Sequence, residues 1–318
     1  MELVCNPAGH APLRRPNSVR RTSTLDTSWP DGREGDLQIQ GRCRDLVTDD
    51  TADQISIARE DGMLAHLGWD RVIRSVTNDR IDLSALNGAR GGGHLRAVLD
   101  EKIHVERAGG TPLYLLLDDI SGVSLVSGWA WSRWEDFERD GGFEERRMQM
   151  ENICTGFATG NSALQAERPP RNNPQVVPLA NPNDAHSWHV LPEIEGVAFR
   201  RARRIDVWSE DGCFIMDVGF QDSATDPELG RVAIHEYRVH ARADALSGEL
   251  LEISATPHIL PFAECPGAIA NIQLMVGTPL QEMRTRVIDT LPGVKGCTHL
   301  NDLLRGLAEV PVLVGLLA

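Results

Sequence analysis

Arg200-Arg-Ala-Arg-Arg-Ile-Asp-Val-Trp-Ser-Glu-Asp-Gly-Cys-Phe-Ile-Met-Asp-Val-Gly-Phe220 decides the fold. Arg204 to Trp208 alternates polar and apolar side chains, Asp211-Gly212 has the composition of a tight hairpin turn, and Phe214 to Phe220 alternates again. Two half-buried antiparallel strands follow. Downstream, Val232 to Ala241 and Leu250 to Ala255 read as further strands, separated by a turn at Asp244 to Gly248. Apolar residues then recur at helical spacing, at Ile269, Ile272 and Val276 and at Leu300, Leu303, Leu304 and Leu307. Strands first and helices afterwards is the order of an α+β unit, with helices packed on one face of an antiparallel sheet.

The opening of this stretch has a forerunner. Arg20, Arg21, Leu25, Asp26, Asp31 and Gly32 precede Arg200, Arg201, Ile205, Asp206, Asp211 and Gly212 by 180 positions. The offset drifts to 183 for Ala58, Arg59 and Asp61 against Ala241, Arg242 and Asp244, and for Leu117 and Asp119 against Leu300 and Asp302. Ordered recurrence at near-constant spacing is what duplication of a folding unit predicts. The expected organisation is an N-terminal arm over 1–17, a first α+β copy over 18–158, a proline-rich linker over 159–196 and a second copy over 197–318. Six prolines between Pro169 and Pro192 keep helix and ladder out of the linker, although Trp188 and Leu191 offer it docking points. Phe143 to Ile153 reads as a helix started by Gly141-Gly142.

Composition narrows the functions. A net charge of −14 repels phosphate backbones, which excludes non-specific nucleic-acid binding, and no apolar run reaches the ~20 residues that span a bilayer. Six scattered cysteines and the lack of an apolar core in Met1 to Ser18 predict a reduced, cytoplasmic protein.

The chemistry concentrates in the second half. Cys265 precedes Pro266, a favoured first helical residue, so its thiol is expected at a helix N-cap, where free amides and the helix dipole lower a thiol pKa. Cys297 lies between Gly296 and Thr298, at the start of the leucine-striped helix, with His299 in its first turn. Two thiols and an imidazole at two helix starts suit a soft metal, or a thiol nucleophile with a histidine base. At the 183 offset, Cys265, Cys297 and His299 correspond to Asp82, Tyr114 and Leu116, so the first half lacks the sulfur set. Asp82 and Tyr114 are either an acid–base pair or ordinary cap and core residues.

Cys265-Pro-Gly-Ala-Ile-Ala270, Gly277-Thr-Pro-Leu-Gln-Glu282 and Val294-Lys-Gly-Cys-Thr-His-Leu300 together resemble the IscU/NifU-type iron–sulfur scaffold over about the last ninety residues. The Cys-Pro and Gly-Cys-Thr-His-Leu arrangement is similar also to an uncharacterised, largely actinobacterial family, here in double-length form, which implies no reaction. The scaffold resemblance maps its middle cysteine to Cys265 and its last to Cys297. Its first cysteine has no counterpart, with Asp226 and His235 the nearest polar substitutes, and its histidine precedes the cysteine that His299 follows. Two thiolates, His299 and one carboxylate or imidazole suit zinc or a single iron.

Other candidates read as structural. His186 and His189 fall in the linker as surface histidines. Trp129, Trp131 and Trp134 form either packing or the lining of an apolar pocket. Cys154 lacks an activating helix terminus, and Gly91-Gly92-Gly93 lacks a phosphate-loop lysine. The expected function is binding of a metal or sulfur species, with a small molecule or a metal- or sulfur-transfer protein as partner. The alternative is a lyase, isomerase or hydrolase acting on a small apolar metabolite through Cys265, Cys297 and His299 or a metal-bound water.

Overall fold

The computed structural model describes residues 3–134, 148–165 and 173–317. Eight strands form its frame: β1 (Ser18–Ser28), β2 (Leu37–Thr48), β3 (Ile55–Leu67), β4 (Ile73–Thr77), β5 (Ala198–Glu210), β6 (Cys213–Asp226), β7 (Gly230–Asp244) and β8 (Leu250–Ile259). They make one antiparallel sheet in the order β4-β3-β2-β1-β5-β6-β7-β8. The β5–β6 hairpin turns at Asp211 and Gly212, whose φ angles of 49° and 72° place both in the left-handed region that such a turn requires. The Asp244 to Gly248 turn closes with Gly248 N donating to Asp244 O at 2.8 Å.

The strands of the two halves meet along β1 and β5, paired from Ser18 opposite Trp208 to Ser28 opposite Ala198. Charge fixes this register. Arg20 lies opposite Asp206 and donates to it at 2.5 and 2.7 Å, while Arg200 lies opposite Asp26 and donates at 2.5 and 2.9 Å. On the other face Arg21 is fork-bonded to Asp45 on β2 and Arg201 to Asp222 on β6, again directly opposed. All these side chains are buried, so a one-residue slip would strand charges without partners.

Helices cover the face that carries Val19, Leu25, Ile205, Val207 and Val218. The Pro112–Val126 helix, N-capped by Thr111, packs across β1, β2 and β3, and the segments after β8 pack on the other half. The stretch from Cys265 to Met275 is a 3₁₀ run rather than the expected α-helix; it buries Cys265, Ala268, Ile272 and Met275 and leaves Val276 exposed. The leucine-striped segment is an α-helix, Thr298–Arg305, as the spacing predicts. Among the described residues, no helix is long and apolar enough to cross a membrane.

The opposite face is covered by irregular chain. Ser187 O accepts from Arg20, His186 O from Arg44 and Pro192 O from Arg200, each between 2.9 and 3.1 Å. His189, expected at the surface, is buried, with its two ring nitrogens 2.9 Å from the hydroxyls of Thr22 and Thr24. The N-terminal residues run alongside, held by Ala11 N to Leu179 O and by Arg14 to Asp184. Of the helix read over 143–153, residues 143–147 and the preceding Gly141-Gly142 lie outside the described residues.

Candidate metal centre

Asp222 and His235 stand opposite each other on β6 and β7, where the register shifts between Asp222 and Ser223. That shift inserts Ile234 as an extra residue. A bulge of this kind re-aims the following side chains, and here both Ile234 and His235 lie on the helix-covered face. The Thr298–Arg305 helix crosses above, and its first turn brings His299 onto the same point. His299 Nε2 is 3.4 Å and His235 Nδ1 3.8 Å from Asp222 Oδ2. The two imidazoles stack, with centroids 3.5 Å apart and planes 19° apart. One ligand atom from each of Asp222, His235 and His299 lies within 4.8 Å of the others, and all three residues are buried.

Asp222 is anchored from beneath. Arg201 donates to both its oxygens at 2.9 Å and reaches Asp302 at 3.0 Å with its remaining nitrogen. Arg203 pairs with Asp119, whose second oxygen has no hydrogen-bond partner among the described residues. The Pro112–Val126 helix comes close enough to shield these pairs only because residue 122 is glycine: a Cβ there would overlap Arg201 Nη1 and Asp302 Oδ2. Burial pushes the carboxyls of Asp222 and Asp119 up against the pull of the arginines. Burial, reinforced by Arg201, pushes His299 well below the usual histidine range, which keeps its ring neutral and its lone pair free.

On the far side of His299, Cys297 Sγ lies 3.8 Å from Nδ1 and accepts a hydrogen bond from Tyr237 Oη at 3.4 Å. Cys297, rather than the Thr298 expected to cap, is the N-cap of its helix, and its side chain makes no capping hydrogen bond. Cys265 is not an N-cap; Glu264 holds that position, and the Cys265 sulfur packs where a Cβ on Gly156 would be. Both thiols are pushed up rather than down: burial dominates for Cys265, and for Cys297 it outweighs the Tyr237 hydrogen bond. Desolvation thus exceeds what a helix start supplies, the reverse of the lowering expected for these two thiols. Cys154, reached through Thr155 N bonded to Gly296 O, is raised to about 11 by burial first and by Cys297 second.

Of the expected ligands, then, His299 and His235 converge, Cys297 borders His299, and Cys265 and Cys297 fall outside the three-residue group. Asp226 is elsewhere: it accepts backbone bonds from Glu228 and Leu229 in the β6–β7 turn and pairs with Arg133 at 2.6 Å. Asp82 bonds to Ser84 and Tyr114 to Asp100, so they do not form an acid–base pair with each other. Trp131 is buried beside Trp29, while Trp134 is partly exposed and bonds to Thr225. Asp222 and Tyr237 were not expected from the sequence, where Arg201 figured only as a member of the repeat. Their signal was present: Asp222 continues the apolar alternation of Met216, Val218 and Phe220, which places a carboxylate on a core-facing position.

Residues 199–313, which include the whole centre, match a family described as "Protein of unknown function (DUF2889)". No curated protein matches the chain.

Proposed function

We propose that this protein binds a divalent transition-metal ion through Asp222 Oδ2, His235 and His299. The observation that carries the reading is the mutual approach of these three ligand atoms within 4.8 Å, from three separate elements. Two imidazoles and one carboxylate form a donor set suited to zinc or ferrous iron. Each oxygen of Asp222 retains a lone pair after accepting from Arg201, and Asp302 and Asp119 offset the charge of Arg201 and Arg203. With the ion on Nε2, the other nitrogen of His299 faces Cys297 and Thr298, the outer partners that fix ring orientation. Cys297 thus supports a ligand rather than replacing one. Binding has more support than catalysis because all three residues are buried, and a substrate, unlike an ion, would need the helices to part.

The paired ladders support the duplication reading as well. Arg20–Asp206 and Arg200–Asp26 exchange roles across the β1–β5 seam, and Arg21–Asp45 and Arg201–Asp222 repeat beside it.

Metal analysis of protein purified anaerobically, combined with X-ray absorption at the bound metal's edge, tests the proposal. One ion per chain with nitrogen and oxygen neighbours is expected, lost in His235→Ala and His299→Ala and kept in Cys265→Ser. Added Zn²⁺ at about 100 times its Kd should stabilise the fold by about 2.7 kcal/mol. Absence of a stoichiometric ion together with no zinc-dependent Tm shift overturns it.

A further inference from the structure

The sheet face opposite the metal centre carries a small cavity, partly open to solvent, beneath the N-terminal residues 8–12. Ala202 and Gly219 form part of its floor, with the Arg204 guanidinium packed beside Gly219, while Gln221, Glu236 and Trp188 also line it. Glu236 is exceptional. Every other buried carboxylate among the described residues is in contact with an arginine, whereas Glu236, 5% exposed, has none: it accepts from Ala8 N at 2.8 Å and Gln221 Nε2 at 2.7 Å, and His258 acts on it only electrostatically. The two arginines lining the cavity, Arg204 and Arg238, are both committed to Asp217. Two further polar atoms in the lining residues, Gln221 Oε1 and Trp188 Nε1, are buried without a hydrogen-bond partner.

These groups specify a complement. A buried carboxylate without an arginine and an unused carbonyl oxygen call for a cationic donor, and an unused indole N–H calls for an acceptor on the same small molecule. The geometry points to a binding site for a small primary ammonium ion that carries a hydroxyl or carbonyl oxygen. The ammonium bonds to Glu236 and Gln221, and the oxygen accepts from Trp188. This assignment is independent of the metal centre, since its side chains leave the sheet on the other face.

Calorimetric titration of the full chain with ethanolamine tests it, with ethylene glycol as the uncharged analogue and propylamine as the analogue without an oxygen. Saturable ethanolamine binding is expected, weakened about tenfold or more in Glu236→Gln, which preserves shape and removes charge. Gly219→Val, which fills the floor, should abolish binding while circular dichroism remains unchanged. Propylamine should bind more weakly than ethanolamine, and ethylene glycol should not bind. No ethanolamine binding to the wild-type chain, equal binding of ethylene glycol, or equal affinity in Glu236→Gln overturns the assignment.

Discussion

His299 is a buried imidazole between a carboxylate and a thiol, and its protonation is opposed by burial first and by Arg201 second. A histidine with a depressed folded pKa binds its proton more readily in the unfolded chain, so its cost appears as pH falls below the unfolded value of about 6.5 and is absent above it. Tm should therefore hold near neutrality and decline between about pH 6.5 and 5. His189, lowered to about 3 by burial and by Arg44, Arg200 and Arg42, adds to the same decline. His299→Gln should flatten the profile, by up to about 1.4 kcal/mol for each pH unit over which the proton differs between states. An unchanged slope in this variant would disprove the assignment. Cysteine chemistry belongs to this scale too. With Cys265 and Cys297 buried and their thiols pushed up, iodoacetamide should label them only on unfolding; labelling at the rate of a free thiol in native protein would contradict this.

At the scale of elements, the Pro112–Val126 helix lies against the charged layer through Gly122. Gly122→Ala would ordinarily favour a helix, by about 1 kcal/mol. Here the added methyl has to displace Arg201 or Asp302, and overpacking of that kind costs about 1–3 kcal/mol, with more lost if a buried charge is unpaired. The expected result is a clear drop in urea midpoint, against the propensity scale; a rise would show that the helix does not sit where described. The Cys265 to Met275 stretch makes a related point. Its apolar spacing suited an α-helix, but a tighter 3₁₀ path puts Ala268, Ile272 and Met275 on the core, and packing overrode local preference.

Across the whole molecule, the β1–β5 seam and the chain over the second face make the two halves of the sheet one folding unit. Neither half keeps all its buried arginines neutralised without the other: Arg20 needs Asp206, Arg200 needs Asp26, and Arg21 reaches Glu309 near the C-terminus. Calorimetric melting should give one transition, and residues 197–318 expressed alone should remain unfolded or insoluble. Two separable transitions, or a folded 197–318 fragment, would refute this coupling.

The hairpins at β5–β6 and β7–β8, the terminal leucine-striped helix and the placement of Cys297 and His299 at its start were all legible in the order of residues. Each depends on contacts within a turn or on side-chain periodicity along one element, which a linear pattern encodes directly. The repeated Arg-Arg and Asp positions were legible as well, but their use was not, because Arg20 and Asp206 acquire meaning only once β1 lies beside β5. Only the tertiary structure decided that Asp222 and His235 join His299, that Cys265 is a packed thiol, and that His189 is buried. Convergence and desolvation depend on which distant strands become neighbours and on what covers them, and no residue carries that information alone.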